Sequence, residues 1–157
     1  MSEMRPISLP GRPEPGRLSG RVVGQLAPCE RFLLRALRRR TSDGGATSPV
    51  LVHGFRLAFG LALLEPALDA FTRLCQGLEG AGRRDLGLLP LTCPCVSLDE
   101  QLVLGLVLAP APRVARALAG ALVEAAAADE LAEAAAGLAR LLGRAALAEA
   151  EAAGTVH

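Results

Sequence analysis

The chain has no lysine, asparagine, tryptophan or tyrosine, one isoleucine, and two histidines, at positions 53 and 157. Each gap removes a class of chemistry. Without lysine there is no Walker-type phosphate lysine, no Schiff base and no kinase-like lysine, and no G-x-G-x-x-G follows a strand pattern. A Ser-His-Asp or Cys-His arrangement has His53 as its one usable base, and the H-E-x-x-H zinc signature is missing. Four phenylalanines are the whole aromatic supply, and the core needs them, so single-stranded nucleic acid would find no stacking platforms. No polar recognition helix follows a helix-turn pattern either, which leaves nucleic acid an unfavoured partner.

All seventeen basic residues are arginine, and the missing lysine and asparagine read as codon bias in a GC-rich genome. The net charge of +1 gives no general attraction to polyanions. The distribution is uneven, however: Met1 to Arg40 holds nine arginines against three acids, and Leu98 to His157 four arginines against eight acids. The basic end can meet an acidic partner or the acidic half of its own fold.

At 157 residues the chain is expected to form one domain with a core of Leu, Ala and Val. Residues 1–28 are rich in Pro, Gly, Arg and Ser without an apolar period, so they read as a disordered arm in which Leu18 to Leu26 docks loosely at most. "CERFLLRALRRR" has Phe32, Leu33, Ala36 and Leu37 at helical spacing, with Arg31, Arg35, Arg38 and Arg39, extended by Arg40, on the other face. Ser48-Pro49 opens a second helix with Phe55, Phe59 and Leu63 at i, i+4 and i+8; being apolar nearly all round, it is expected to sit centrally, with His53 a core histidine and Arg56 reaching the edge or an acid. Glu65-Pro66 is expected to break or kink it, and another helix follows with Leu64, Leu68, Phe71, Cys75 and Leu78 on one side.

Ser97 and Glu100 form S-x-x-E, the capping box of a helix that is apolar on every face from Leu102 to Leu108. That explains Asp99 and Glu100 without catalysis. Arg113 to Ala128 and Asp129 to Ala153 are Ala-rich helical stretches, forming a hairpin, a kinked helix or a fraying tail. With no convincing strand pair and no repeat, the fold class is all-α: a single-domain bundle of about five or six helices over residues 29–153. Small-residue faces such as Ala117, Gly120 and Ala121 also permit a homo-oligomer.

Cys93-Pro94-Cys95, just before the capping box, is the one segment that points to chemistry. Neighbouring thiolates bind soft metals such as zinc, and a helix N-terminus favours the thiolate. Against this, a structural zinc takes four ligands in paired C-x₂₋₄-C elements, whereas Cys29 and Cys75 are isolated. Both readings stay open: structural cysteines, or a thiol-based metal or redox site of Cys93 and Cys95 with Cys29 or Cys75.

The segment "RRDLGLLPLTCPCVSLDEQLVLGLV" resembles one in small all-helical bacterial proteins, where a basic turn precedes a Cys-containing extended piece, a cap and an apolar helix. The resemblance spans about Glu30 to Ala109. It implies a folded helical family and carries over no activity, cofactor or site residue.

The opening "MSEMRPISLPGRPEPG" has no apolar h-region, and the most apolar stretch, Pro49 to Leu64, falls short of the roughly 20 residues of a membrane span. A soluble cytoplasmic protein with reduced cysteines is expected, without membrane contact. The leading functional expectation is a non-enzymatic helical interaction or regulatory module that presents Arg31, Arg35, Arg38 and Arg39 to an acidic protein partner.

Overall fold

A computed structural model of the chain describes residues 17–82 and 85–155; residues 1–16 of the expected arm, Arg83, Arg84, Val156 and His157 lie outside the described residues. Its elements are β1 (Leu18–Val22), a 3-10 turn (Val23–Gln25), α1 (Pro28–Ser42), α2 (Pro49–Phe59), α3 (Leu61–Gly80), β2 (Cys95–Ser97), α4 (Leu98–Val107), α5 (Pro112–Leu122) and α6 (Ala125–Thr155). The described residues form a helical bundle of six α-helices, with α6 lying along α3 and α5, and α4 filling the space between α5 and α1.

The start signals act as the sequence indicates. Ser48 accepts a hydrogen bond from the Leu51 N–H at 3.2 Å, with Pro49 in the first turn of α2. At α4 the capping box closes in both directions: the Glu100 N–H donates to Ser97 Oγ at 3.0 Å, and the Ser97 N–H donates to Glu100 Oε1 at 2.9 Å.

The four phenylalanines form one cluster. Phe32 of α1 meets Phe55 and Phe59 of α2 edge-on with ring centroids 5.1 and 5.6 Å apart, and Phe55 meets Phe71 of α3 at 5.1 Å. Such pairs contribute about 0.5–1.5 kcal/mol each beyond the area they bury. They pin α1, α2 and α3 together in a chain otherwise short of large side chains. Where α3 meets α6 the helices come close: a Cβ at Gly77 would lie 3.1 Å from Leu131 Cδ1, so any larger residue there would require Leu131 to give by a few tenths of an ångström.

Three expectations are corrected. The helix break falls at Gly60, where φ is +77° and ψ 171°, and Pro66 sits inside α3. That φ/ψ is open to glycine alone, whereas a proline in the second turn of a helix removes only one ladder bond. Secondly, α2 is a one-sided cover: it buries Leu51, Phe55 and Phe59, while Val50 and Leu57 are 59% and 74% exposed and His53 faces out, so His53 is not a core histidine. Thirdly, the Ala-rich stretch divides at Val123–Glu124 instead of Ala128–Asp129, because Val123 bridges to Gly82 and the Glu124 N–H donates to the Ala81 carbonyl at 3.0 Å.

Residues 17–26 are placed by long-range bonds. β1 pairs antiparallel with β2, Leu18 opposite Ser97 and Val22 opposite Cys95, and Ser19 Oγ donates to the Val96 carbonyl at 2.8 Å. The Leu98 N–H donates to the Arg17 carbonyl and the Val23 N–H to the Pro94 carbonyl, both at 2.7 Å. A strand of five residues whose partner lies some 75 residues away leaves no local period to read, which is why this part of the arm reads as unstructured in sequence.

Gly60→Ala is expected to lower stability by about 1–3 kcal/mol in urea unfolding, from backbone strain alone, since a Cβ there meets nothing within 4 Å. Gly54→Ala, in ordinary helical geometry with the same open space, is the control: it should be neutral or gain up to about 1 kcal/mol.

Candidate functional site

The structure divides the arginine stripe of α1. Arg38 is 3% exposed. Its Nε and Nη2 donate to the two oxygens of Glu100 at 2.7 and 3.0 Å, and Nη1 and Nη2 donate to the backbone carbonyls of Cys93 and Cys95 at 2.8 and 2.6 Å. The hydrogen bond to Glu100 outweighs the burial penalty and, with the charge of Glu100 and the nearby Cys93 and Cys95 thiols, raises the guanidinium pKa above its ordinary value. Arg38 therefore leaves the partner-facing set. The segment around Cys93–Cys95 folds over this part of α1 and takes two of its four hydrogen bonds, and Glu100 of α4 takes the other two.

Glu100 is fully buried and serves three donors at once: Arg38, the Ser97 N–H of its own cap, and the Leu89 N–H at 3.3 Å. Asp99, 1% exposed, accepts from the Gly87 N–H at 2.7 Å. These two carboxylates hold the irregular segment before β2 against the start of α4. Both are consumed by structure. Arg40 is likewise drawn in, its Nη1 paired with Glu79 of α3.

Arg31, Arg35 and Arg39 remain, at i, i+4 and i+8 on α1, and none has an acidic partner among the described residues. They line a groove of about 620 Å³ whose other walls are Phe32, Val50, Gly54 and Phe55, with Leu91 and Thr92 closing one end. The apolar surface runs on past it: Val50, Gly54 and Leu57 follow one face of α2, and Leu61, 70% exposed, opens α3 just after Gly60. Three cations beside a row of exposed apolar side chains form a two-sided surface. The apolar half is hidden in the sequence because the exposed Val50 and Leu57 are as apolar as the buried Leu51 and Phe55, although His53 and Arg56 lie on the exposed side.

Arg21 was not singled out in the sequence, since it lies in the arm. Its Nη1 donates to Glu30 at 3.1 Å and to Gln101 at 3.0 Å, tying β1 to the starts of α1 and α4. Burial would raise the Glu30 pKa, but the Arg21 hydrogen bond, the Ala27 N–H and the Arg21 charge together hold it below the usual carboxylate value. No local signal marks this residue.

The cysteines are free thiols. Cys75 is buried on α3, and burial pushes its thiol up from 9.0 to about 12, against the opposing charge of Arg40. Cys29, Cys93 and Cys95 are half-buried. Among the described residues no three His, Cys, Asp or Glu side chains gather as a metal would require, so Cys29 and Cys75 do not join Cys93 and Cys95 in a ligand set. No helix among the described residues is long and apolar enough to cross a membrane.

Arg38→Met should cost about 3–5 kcal/mol in urea unfolding, because it leaves the buried Glu100 carboxylate unpaired. Arg35→Met, on the open face, should stay within about 0.5 kcal/mol of wild type. In thiol counting on the native protein, Cys29, Cys93 and Cys95 should react ahead of Cys75. The raised Cys75 pKa also sets a sign: its thiol is protonated in both states below pH 9.0, and above that the unfolded chain loses the proton first. Stability should therefore fall between pH 9.0 and about 12, by up to about 1.4 kcal/mol per pH unit, and this component should vanish in Cys75→Ala. No protein-family model, curated protein or solved structure matches the chain, so the functional reading rests on this geometry.

Proposed function

We propose that the chain is a non-enzymatic interaction module that binds an acidic, amphipathic helix of a protein partner in the groove between α1 and α2. The single observation that carries this reading is the unneutralised row of Arg31, Arg35 and Arg39 beside exposed Val50, Leu57 and Leu61. From Arg31 to Arg39 the row spans about 12 Å of helix, so carboxylates on successive turns of a partner helix would each meet a guanidinium. The apolar face of the same helix would cover the leucines, whose exposure is otherwise costly. A compact ligand could fill the groove but would leave Leu57 and Leu61 in water.

The setting that agrees with this reading is a bacterial cytoplasm, supported by the arginine-only composition and the reduced thiols. No membrane and no nucleic acid is required. The thiol-based reading stands second, carried by the half-buried Cys93 and Cys95 on either side of Pro94.

The test uses model helices, titrated by fluorescence anisotropy: one peptide with glutamates at i, i+4 and i+8 and leucines on the adjoining face, and one with lysines replacing the glutamates. The acidic peptide should bind and the basic one should not. Triple reversal of Arg31, Arg35 and Arg39 to Glu should abolish binding, and Leu57→Ser with Leu61→Ser should weaken it at least about tenfold. Equal binding of both peptides, or no loss on reversal, would sink the assignment. Stoichiometric zinc or iron that disappears in a Cys93→Ser, Cys95→Ser variant would put the thiol-based reading in its place.

A further inference from the structure

We infer that the solvent face of α6 is a second, independent docking surface, and that its occupant is α6 of another copy of this chain, running antiparallel. The core side of α6 is Ala128, Leu131, Ala135 and Leu138. Opposite to it, within an arc of about 100°, lie Asp129, Glu133, Ala136, Arg140, Gly143 and Arg144. Asp129, Glu133, Arg140, Gly143 and Arg144 are exposed and Ala136 is half-buried. The acids occupy the first part of this face and the arginines the second.

Each group is repelled within its own helix. Arg140 and Arg144 stand at i, i+4, a destabilising like-charge spacing, and the other helical neighbours of either residue are Ala136, Gly137, Leu141, Gly143, Leu147 and Ala148, none of them acidic. Glu133 has only Asp129, Glu130, Ala136 and Gly137 at those spacings. No ion pair is formed by Glu133, Arg140 or Arg144 among the described residues, while Asp129 pairs with Arg116 of α5 at 2.9 Å. The helix dipole does not account for the arginines, since its effect is confined to the last turn and α6 continues to Thr155.

One symmetry operation brings the opposite charges of this face together. A two-fold axis midway between Ala136 and Gly137 sets Glu133 of one copy across from Arg140 of the other, and Asp129 across from Arg144, because both pairs are centred on that point. Each contact occurs twice, as an isologous interface requires. The residues at the crossing are Ala136 and Gly137, with Gly143 further out, so the backbones can approach closely. Beside them an open groove of about 730 Å³ runs between α3 and α6, floored by Gly77, Ala134 and Gly137 and edged by Arg73, Glu130 and Arg140. It gives the incoming helix a seat. Self-complementary charge on a flat face singles out a second copy over an unrelated partner.

Sedimentation equilibrium on the full chain, over a wide concentration range at low and high salt, tests this. Wild type should form a reversible dimer that weakens with salt. Glu133→Arg and Arg140→Glu should each raise the dissociation constant at least about tenfold, since each places like charges across the axis. An equimolar mixture of the two single variants should recover a heterodimer, and the double variant should recover the homodimer. Gly137→Leu should also block association; within the protomer its Cβ meets only Arg140 Nη2, at 3.8 Å, so folding is retained and circular dichroism checks it. A wild type that stays monomeric, single variants that dimerise as well as wild type, or a mixture that fails to recover would each overturn the proposal.

Discussion

The buried pair between Arg38 and Glu100 is the contact on which the rest of the arrangement depends. A guanidinium and a carboxylate, 3% and 0% exposed, can share a dry interior only if every donor and acceptor is used. Arg38 makes two further hydrogen bonds to the Cys93 and Cys95 carbonyls, and Glu100 accepts from Ser97 and Leu89. Through one ion pair α1, the segment before β2 and the start of α4 are therefore fixed together. β1 then finds its partner in β2, and Arg21 adds a second tie across the same elements.

This constraint also shapes the groove. Leu91 and Thr92, which close it, directly precede the carbonyls that Arg38 holds. The C-x-C motif is thus part of a backbone brace: its carbonyls, more than its thiols, are what the structure employs. A site built on a braced segment keeps its shape without a ligand, which lowers the ordering cost of binding. The phenylalanine cluster supplies the other support, holding α2 against α1 so that Arg31, Arg35 and Arg39 stand beside the exposed apolar row.

Two surfaces remain after the core is accounted for, and they differ in kind. The α1–α2 face is basic beside apolar and has no complement on itself, which suits a different molecule of opposite charge. The α6 face carries both signs in two blocks and is complementary to its own image. Electrostatic patterning, not apolar area, separates the two cases, because charge order selects partner and register while leaving hydrophobic burial nearly unchanged.

The sequence by itself determined the helical class, the positions of α1 and α4, the Ser48 and Ser97 caps, and the burial of Cys75, Phe55, Phe59 and Phe71. These depend on period and on interactions within a few residues, which the chain states locally. It did not separate Arg38 from Arg31 and Arg35: on the helix wheel Arg38 is only about 20° from Arg31, and what distinguishes them is a segment 55 residues away that covers one and not the other. Nor did it show which side of α2 is exposed, since Val50 and Leu57 are as apolar as the buried Leu51 and Phe55 and blur the mark that His53 and Arg56 leave, or that Leu18–Val22 is a strand, since its hydrogen-bond partner is remote. The tertiary structure alone decided those, because burial and pairing belong to the neighbour as much as to the residue.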